Sequence, residues 1–333
     1  MGKARERLRN LFRRNKRRKT PPPEEPQPPP DNLENFNEKL PMKADEGEMK
    51  TYFHVGLLAK MCLIHGYNNG PWKLQTTSKT EGELFLSTFG EGYPSLNDAY
   101  GGVEAYQEIE NFYTSLAWLT DSLLCADIAA RGEAFEGKGQ FVLKNTFGLN
   151  DDNKFEFQCK CKLDIDRNPI RMELEVPIYK EPLLLGYLTV TPAENFILGC
   201  RGAYDWENKK QIRHALCAGY QNETTEVSLK LENFKEVRGS IFQKIGEQWA
   251  VAMKANLCGE EVAAHKIMVG CQYEFEPGHM LKARVRGDTY VGLVYQKKLR
   301  EDIEMMLHGG IEARDPLNGN YSIGTSWYFN LSI

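Results

Sequence analysis

The side chains best suited to nucleophilic, redox or metal chemistry are eight cysteines and six histidines, scattered along 333 residues. Cys159 and Cys161 form a C-x-C inside a KCKCKL run. Zinc sites ordinarily use C-x2-C pairs completed by a second pair or by spaced histidines. No such partner set follows, so the two thiols read as apolar residues on one face of a strand. A nucleophile elbow, a P-loop, an H-E-x-x-H and a Rossmann glycine run are all missing, so the chain reads as no enzyme and needs no cofactor. The chemistry left is electrostatic. Lys160, Lys162, Arg171, Glu173, Lys254, Lys266, Lys282, Arg284 and Glu304 recur on the polar side of alternating segments. Charges placed in that way can line a water-filled passage and set which ions cross it.

The elements that carry those charges follow from the period of the sequence. In 154–163, Phe155, Phe157, Cys159, Cys161 and Leu163 share one face, and Lys154, Glu156, Gln158, Lys160 and Lys162 share the other. The same period of two runs through 171–176, 265–274, 303–314 and 321–331. Turn residues such as Asp166-Arg167-Asn168-Pro169 and Glu276-Pro277-Gly278 separate the segments. This pattern predicts antiparallel strands with one dry face. At about 14 residues per strand and turn, the stretch after Gly70 gives roughly nineteen strands. One stretch, Gly47 to His65, has a helical period instead and stops at Gly66.

Mean hydropathy is -0.52, and no window holds the ~18 apolar residues of a membrane helix. A membrane barrel escapes that test, because its strands hide their apolar half among polar residues. A soluble sandwich or barrel is the alternative. The dense charge on the polar faces, and aromatics such as Tyr321, Phe329, Phe155 and Tyr273 near strand ends, favour a barrel whose apolar face meets lipid.

The net charge of -4 conceals a division. Residues 1–19 hold ten Lys or Arg and one acid, Glu6. Eight of the 16 prolines lie between Pro21 and Pro41, which suits an extended polyproline spacer. A basic arm of this kind suits an import signal, a nucleic-acid patch or a tether to anionic membrane. Its lack of Ser argues against an import signal, and a solvated tail or a tether to lipid or protein is preferred to nucleic acid. Such a charge is costly to store in a narrow lumen, so the arm is expected outside the barrel. The N-terminus has no apolar core of the kind a secretory signal needs. The expected organisation is a basic, then Pro-rich and acidic extension over 1–45, a helix and glycine hinge over 46–70, and a barrel over 71–333.

Specific residues then carry a resemblance. HVGLLAKMCLIHGYNNG (54–70), YEFEPGHMLKARVRGDTYVGLVY (273–295) and GSIFQK (239–244) are similar to segments of the mitochondrial porins, the voltage-dependent anion channels. The likeness runs from about Thr51 to Ile333. It implies an all-β transmembrane barrel of nineteen strands with the N-terminal helix in the lumen, hinged at Gly66 and Gly70. The first and last strands, near Trp72–Thr80 and Tyr321–Leu331, would pair in parallel. It implies a voltage-gated pore of the mitochondrial outer membrane, embedded in lipid and passing ions and metabolites such as nucleotides. By the same resemblance, nucleotide contacts fall on Lys60, on Tyr290, Val291 and Gly292, and on His308, Gly309, Gly310, Ile311 and Glu312. Ser322, Gly324, Trp327 and Phe329 resemble the C-terminal signal by which outer-membrane barrels are recognised for insertion. Leu57 and His65 stand where the family usually presents lysines. Residues 51–333 hold 29 Lys/Arg against 37 Asp/Glu, so anion preference is expected to be weak or reversed. A poorly conducting scaffold of the same fold and, further off, a soluble carrier of an apolar ligand are the competing functions.

Overall fold

The computed structural model describes residues 49–67, 71–80, 84–93, 98–120, 123–134, 137–149, 155–180, 182–258, 267–316 and 321–332. The expected 1–45 extension, Gly70 and Lys266 lie outside them.

Among the described residues nineteen strands run in chain order, from β1 (Trp72–Lys79) and β2 (Leu84–Tyr93) to β18 (Ile303–Glu312) and β19 (Tyr321–Ser332). Each pairs antiparallel with the next, and β1 also pairs with β19 in parallel, from Trp72↔Thr325 to Lys79↔Ser332. The ring is therefore closed. An odd strand count leaves the first and last strands pointing the same way, so a parallel seam is the only closure available. Closure is what lets a sheet sit in hydrocarbon, where an unpaired edge would leave backbone groups unsatisfied.

Each strand places alternate side chains on opposite faces. One face carries Phe112, Trp118, Phe155, Tyr321 and Ile323, all between 61% and 79% exposed. The other carries most of the charge and the contacts to the N-terminal segment. So extensive an apolar exterior is untenable in water and ordinary in lipid. No helix among the described residues is long and apolar enough to cross a membrane; the crossings are made by strands.

Irregularities occur where the sequence demands them. β7 (Phe155–Arg167) and β8 (Ile170–Tyr179) slip register between Cys159 and Lys160. Lys160 is there opposite Pro177, which has no N–H to give to the ladder. The extra residue is absorbed as a bulge.

The N-terminal segment lies against the inner face. A 3-10 turn, Tyr52–His54, packs on β9 (Leu183–Ala193) and β10 (Phe196–Asp205). A short helix, α1 (Leu57–Leu63), packs on β13 to β16, the strands Glu236–Ile245, Trp249–Cys258, Ile267–Glu276 and His279–Arg286. The helical stretch is thus shorter than the period over Gly47 to His65 suggests. The cause is Gly56, whose φ of +75° breaks the helix.

Odd-numbered strands all run one way, so the β7–β8 turn and the end of β19 share one mouth of the barrel. Met49 is fastened beside that turn: its N–H donates to Asp166 Oδ2 at 3.0 Å and its carbonyl accepts from Arg171 Nη1 at 2.6 Å. β1 begins at the other mouth. Met49 and Trp72 therefore stand at opposite mouths of the barrel, and the described residues 49–67 lie along the wall.

Candidate functional site: the charged inner wall and its helix

Glu226, on β12 (Thr225–Glu232), is 2% exposed and accepts from the Ala59 N–H at 3.1 Å. That N–H belongs to the first turn of α1, where backbone donors have no partner within the helix. Gly56, the N-cap, has no side chain to supply one. Lys60, on the next turn, adds its positive charge to the field at Glu226. At the other end, Lys282 Nζ donates to the Met61 carbonyl at 3.0 Å and Arg284 Nη1 to the Leu63 carbonyl at 2.7 Å. Arg284 also stacks over the Tyr67 ring, 4.2 Å from its centroid. A carboxylate at the N-terminus and two cations at the C-terminus match the helix dipole at both ends. A seven-residue helix is marginal alone, so this clamp and the packing of Cys62 and Leu63 on Ala250, Ala252 and Met268 hold it on the wall.

The wall makes room for the segment. A Cβ on Gly270 would lie 2.7 Å from Leu63 Cδ2, and one on Gly292 would lie 2.8 Å from Tyr67 Cδ1. Burial favours the neutral forms of Cys62, His65 and Tyr67. It pushes the Cys62 thiol up to about 11, against the pull of Lys282. It pushes the His65 imidazole down to about 4, with Lys282 and Lys73 adding to the effect. The Tyr67 phenol is likewise raised by burial.

Most of the charges anticipated on the polar faces do stand on the inner face, and they are largely engaged. Lys162 pairs with Glu173 at 2.8 Å, and Arg171 with Asp164 at 2.9 Å and Asp166 at 3.7 Å. Lys144 reaches Glu175 at 3.4 Å. Glu304 accepts from Gln296 Nε2 at 2.7 Å. Lys160 and Lys254 share the inner face by alternation along β7 and β14. Among the described residues no group of side chains suited to hold a metal ion occurs.

The residues expected to meet nucleotide are divided by the pleat. Tyr290, Gly292, His308, Gly310 and Glu312 share the inner face of β17 (Tyr290–Arg300) and β18. Val291, Gly309 and Ile311 take the outer face, with Ile311 40% exposed there. Consecutive strand residues cannot all look into the lumen, so the Val291 and Ile311 side chains do not line it, and Gly309 has none to offer. The inner members are already occupied: Tyr290 stacks under Arg286 and its hydroxyl is 2.6 Å from Ser322 Oγ, and Gly292 is covered by Tyr67. At the C-terminus Trp327 and Phe329 face outward and stack, while Ser322 and Gly324 face inward. Sequence reasoning missed Glu226. Its only local signal was an acid on the polar side of β12.

A closed β-ring with an apolar exterior and a charged interior around a short N-terminal helix defines a transmembrane barrel of the porin kind. The eukaryotic porin profile matches residues 48–324, and the chain belongs to that family. A voltage-dependent anion-selective channel of Drosophila melanogaster is 24% identical over 276 residues, covering 82% of this chain and 96% of that protein. The non-selective voltage-gated ion channels VDAC3 of Oryctolagus cuniculus and Homo sapiens are each 23% identical over 278 residues, with the same coverage. A solved mutant of the Rh. blastica porin overlaps 74% of this chain and 99% of its own at 9% identity, with a TM-score of 0.47.

Proposed function

We propose that this protein is a channel of the mitochondrial outer membrane, passing ions and small metabolites passively and responding to voltage. The observation that carries the reading is the sidedness of the closed ring: its outside is apolar, and its inner face holds charged side chains such as Lys162, Glu173, Arg171 and Asp164. Membership of the eukaryotic porins supports the location, and the names of the relatives support voltage dependence. Anion preference is weak or reversed. The acidic balance of residues 51–333 and the engagement of Lys162, Arg171, Lys282 and Arg284 both leave little positive field for permeating anions. Ser322, Gly324, Trp327 and Phe329 serve as the insertion signal. Residues 1–19 bind anionic lipid or a partner protein. Nucleotides pass without a dedicated pocket on β17 and β18, since the side chains that face inward there are already in contact with the protein.

Proteoliposome swelling tests the channel directly. Vesicles containing the full chain should swell in isotonic solutes up to nucleotide size, at a rate that rises with protein content. Vesicles no more permeable than bare lipid would refute it. Recovery of the native protein in carbonate-resistant outer membrane from fractionated mitochondria tests the location; recovery in the soluble fraction contradicts it.

A further inference from the structure

At the mouth where β1 begins, the outer face carries a row of aromatic rings. Phe147 on β6 (Gly137–Leu149), Phe157 on β7 and Tyr179 on β8 stack in turn, with centroids 5.0 Å and 5.7 Å apart. Beyond β9, at the end of β10, Tyr204 and Trp206 meet edge to face at 6.4 Å. Between the two groups the row is broken by a pocket of about 480 Å³. The break has a local cause. The β8–β9 ladder runs from Ile170↔Val190 to Glu175↔Leu185, so the last residues of β8 and the first of β9 lie outside it. Pro177 and Pro182, both on the pocket wall, have no N–H with which to extend it. Val176, Ile178 and Leu184 make the wall apolar on the side of the membrane. Lys180, just after β8, and Glu207, just after β10, make its aqueous end polar, and Tyr179 and Trp206 complete it. These groups are held in place. The Trp206 N–H donates to the Pro182 carbonyl at 2.8 Å. Asp205 Oδ1 accepts from the Glu207 and Asn208 N–H groups, each at 3.0 Å. Lys180 Nζ donates to Glu156 Oε1 at 3.0 Å, yet its side chain is 45% exposed, and an ammonium has further N–H groups to give.

We infer that this pocket holds the head of a zwitterionic phospholipid. The phosphate meets the Lys180 ammonium in a charge-assisted hydrogen bond. The amine meets Glu207 and the face of Trp206, where the ring attracts a cation. The acyl chains lie over Val176, Ile178 and Leu184 and continue along the apolar exterior. The layout of the pocket is thus the layout of the lipid, apolar at membrane depth and charged at the interface. Charge decides the class. A sterol brings no ion for Lys180 or Glu207. An anionic phospholipid brings a phosphate for Lys180 but no amine for Glu207, and its excess negative charge is repelled there. Lys209 and Lys210, further along the same turn, are not part of the pocket wall. The inference rests on the barrel lying in a membrane and is independent of whether it conducts.

The test uses the full chain refolded in detergent and read by native mass spectrometry. Dioleoyl phosphatidylcholine, phosphatidylethanolamine and phosphatidylglycerol are supplied at equal concentration, singly and in pairs. The unaltered chain should retain the first two several-fold more than phosphatidylglycerol. Glu207→Gln should abolish that preference, and Lys180→Gln should weaken retention of all three. Trp206→Leu should cost phosphatidylcholine most, because its quaternary amine has no N–H for Glu207 and depends on the ring. Heat-shifted mobility checks that each variant is folded. Place is read on the unaltered chain alone, so it does not depend on any variant. A phosphatidylcholine with a photoreactive diazirine on its acyl chain near the glycerol should label residues 176–184 above the rest of the outer face. Equal retention of the three lipids or a preference for phosphatidylglycerol overturns the inference. So does retention unchanged by both Gln substitutions, or labelling spread evenly round the barrel. Conductance enters none of these readings, so failure of the channel reading in vesicles is an outcome distinct from failure of this one.

Discussion

Gly56 has a φ of +75°, and a Cβ placed on it would lie 2.9 Å from Ser228 Oγ. Both facts exclude a side chain: the left-handed backbone strains any other L-residue, and the serine hydroxyls, 2.6 Å from each other, have little room to retreat. Gly56→Ala should therefore cost on the order of 1–2 kcal/mol of helix docking. Proteolysis within residues 49–66 should become correspondingly faster, and an unchanged rate would contradict this account of the glycine. His65 allows a test by pH. Its docked pKa, about 4, lies below the ordinary 6.5, so docking is fully favoured above pH 6.5 and weakens as pH falls toward 4. Cys62 alkylation, corrected for intrinsic thiolate content, should speed up between pH 6.5 and 5, and His65→Leu should flatten that dependence. Alternation put Lys282, Arg284 and Glu304 on the polar face, and the structure agrees. What alternation does not reveal is the partner. Glu226 meets an N–H 167 positions away in the chain, and a period of two says only that it points inward.

The strands are legible because one physical rule, apolar out and polar in, is imposed on every residue of every strand. In these strands Phe155, Tyr321 and Ile323 stand exposed on the outer face, and Lys162 pairs with Glu173 on the inner one, as the alternation predicts. The helix was less legible. Val55, Leu58, Leu63 and Ile64 give a helical period, but the glycine that splits the segment is set by the two serines of β12 and β13 beneath it. The seam between β1 and β19 rests on backbone bonds from Trp72↔Thr325 onward, with β2 on the other side of β1. Thr76 lies mid-strand, opposite both Phe329 and Thr88. Thr76→Pro removes one N–H from this ladder inside hydrocarbon, where an unsatisfied partner costs several kcal/mol. Folded yield, read by heat-shifted mobility after refolding into detergent, should fall steeply, whereas Thr76→Val should refold normally. Equal yields would mean that the seam is not under that constraint.

At the scale of the molecule, closure, sidedness and charge act together. Nineteen strands close through a parallel seam, the exterior dissolves in lipid, and the interior is left to water and to the N-terminal segment. Inside, ion pairs such as Lys162–Glu173 and Arg171–Asp164 hold opposite charges together, and α1 covers Lys282 and Arg284. On the proposed reading the pore's fixed field is weak, and the acidic excess of residues 51–333 is expected to tilt it away from anions. That excess was legible in composition, but the burial of Lys282 and Arg284 under the end of α1 was not, because composition carries no information on where the helix lies. The most direct test is the reversal potential of the refolded full-length chain in a planar bilayer under a KCl gradient. Discrete conductance steps that reverse near zero or on the K⁺ side are expected. A reversal potential showing clear Cl⁻ preference, or no conductance at all, would contradict the account.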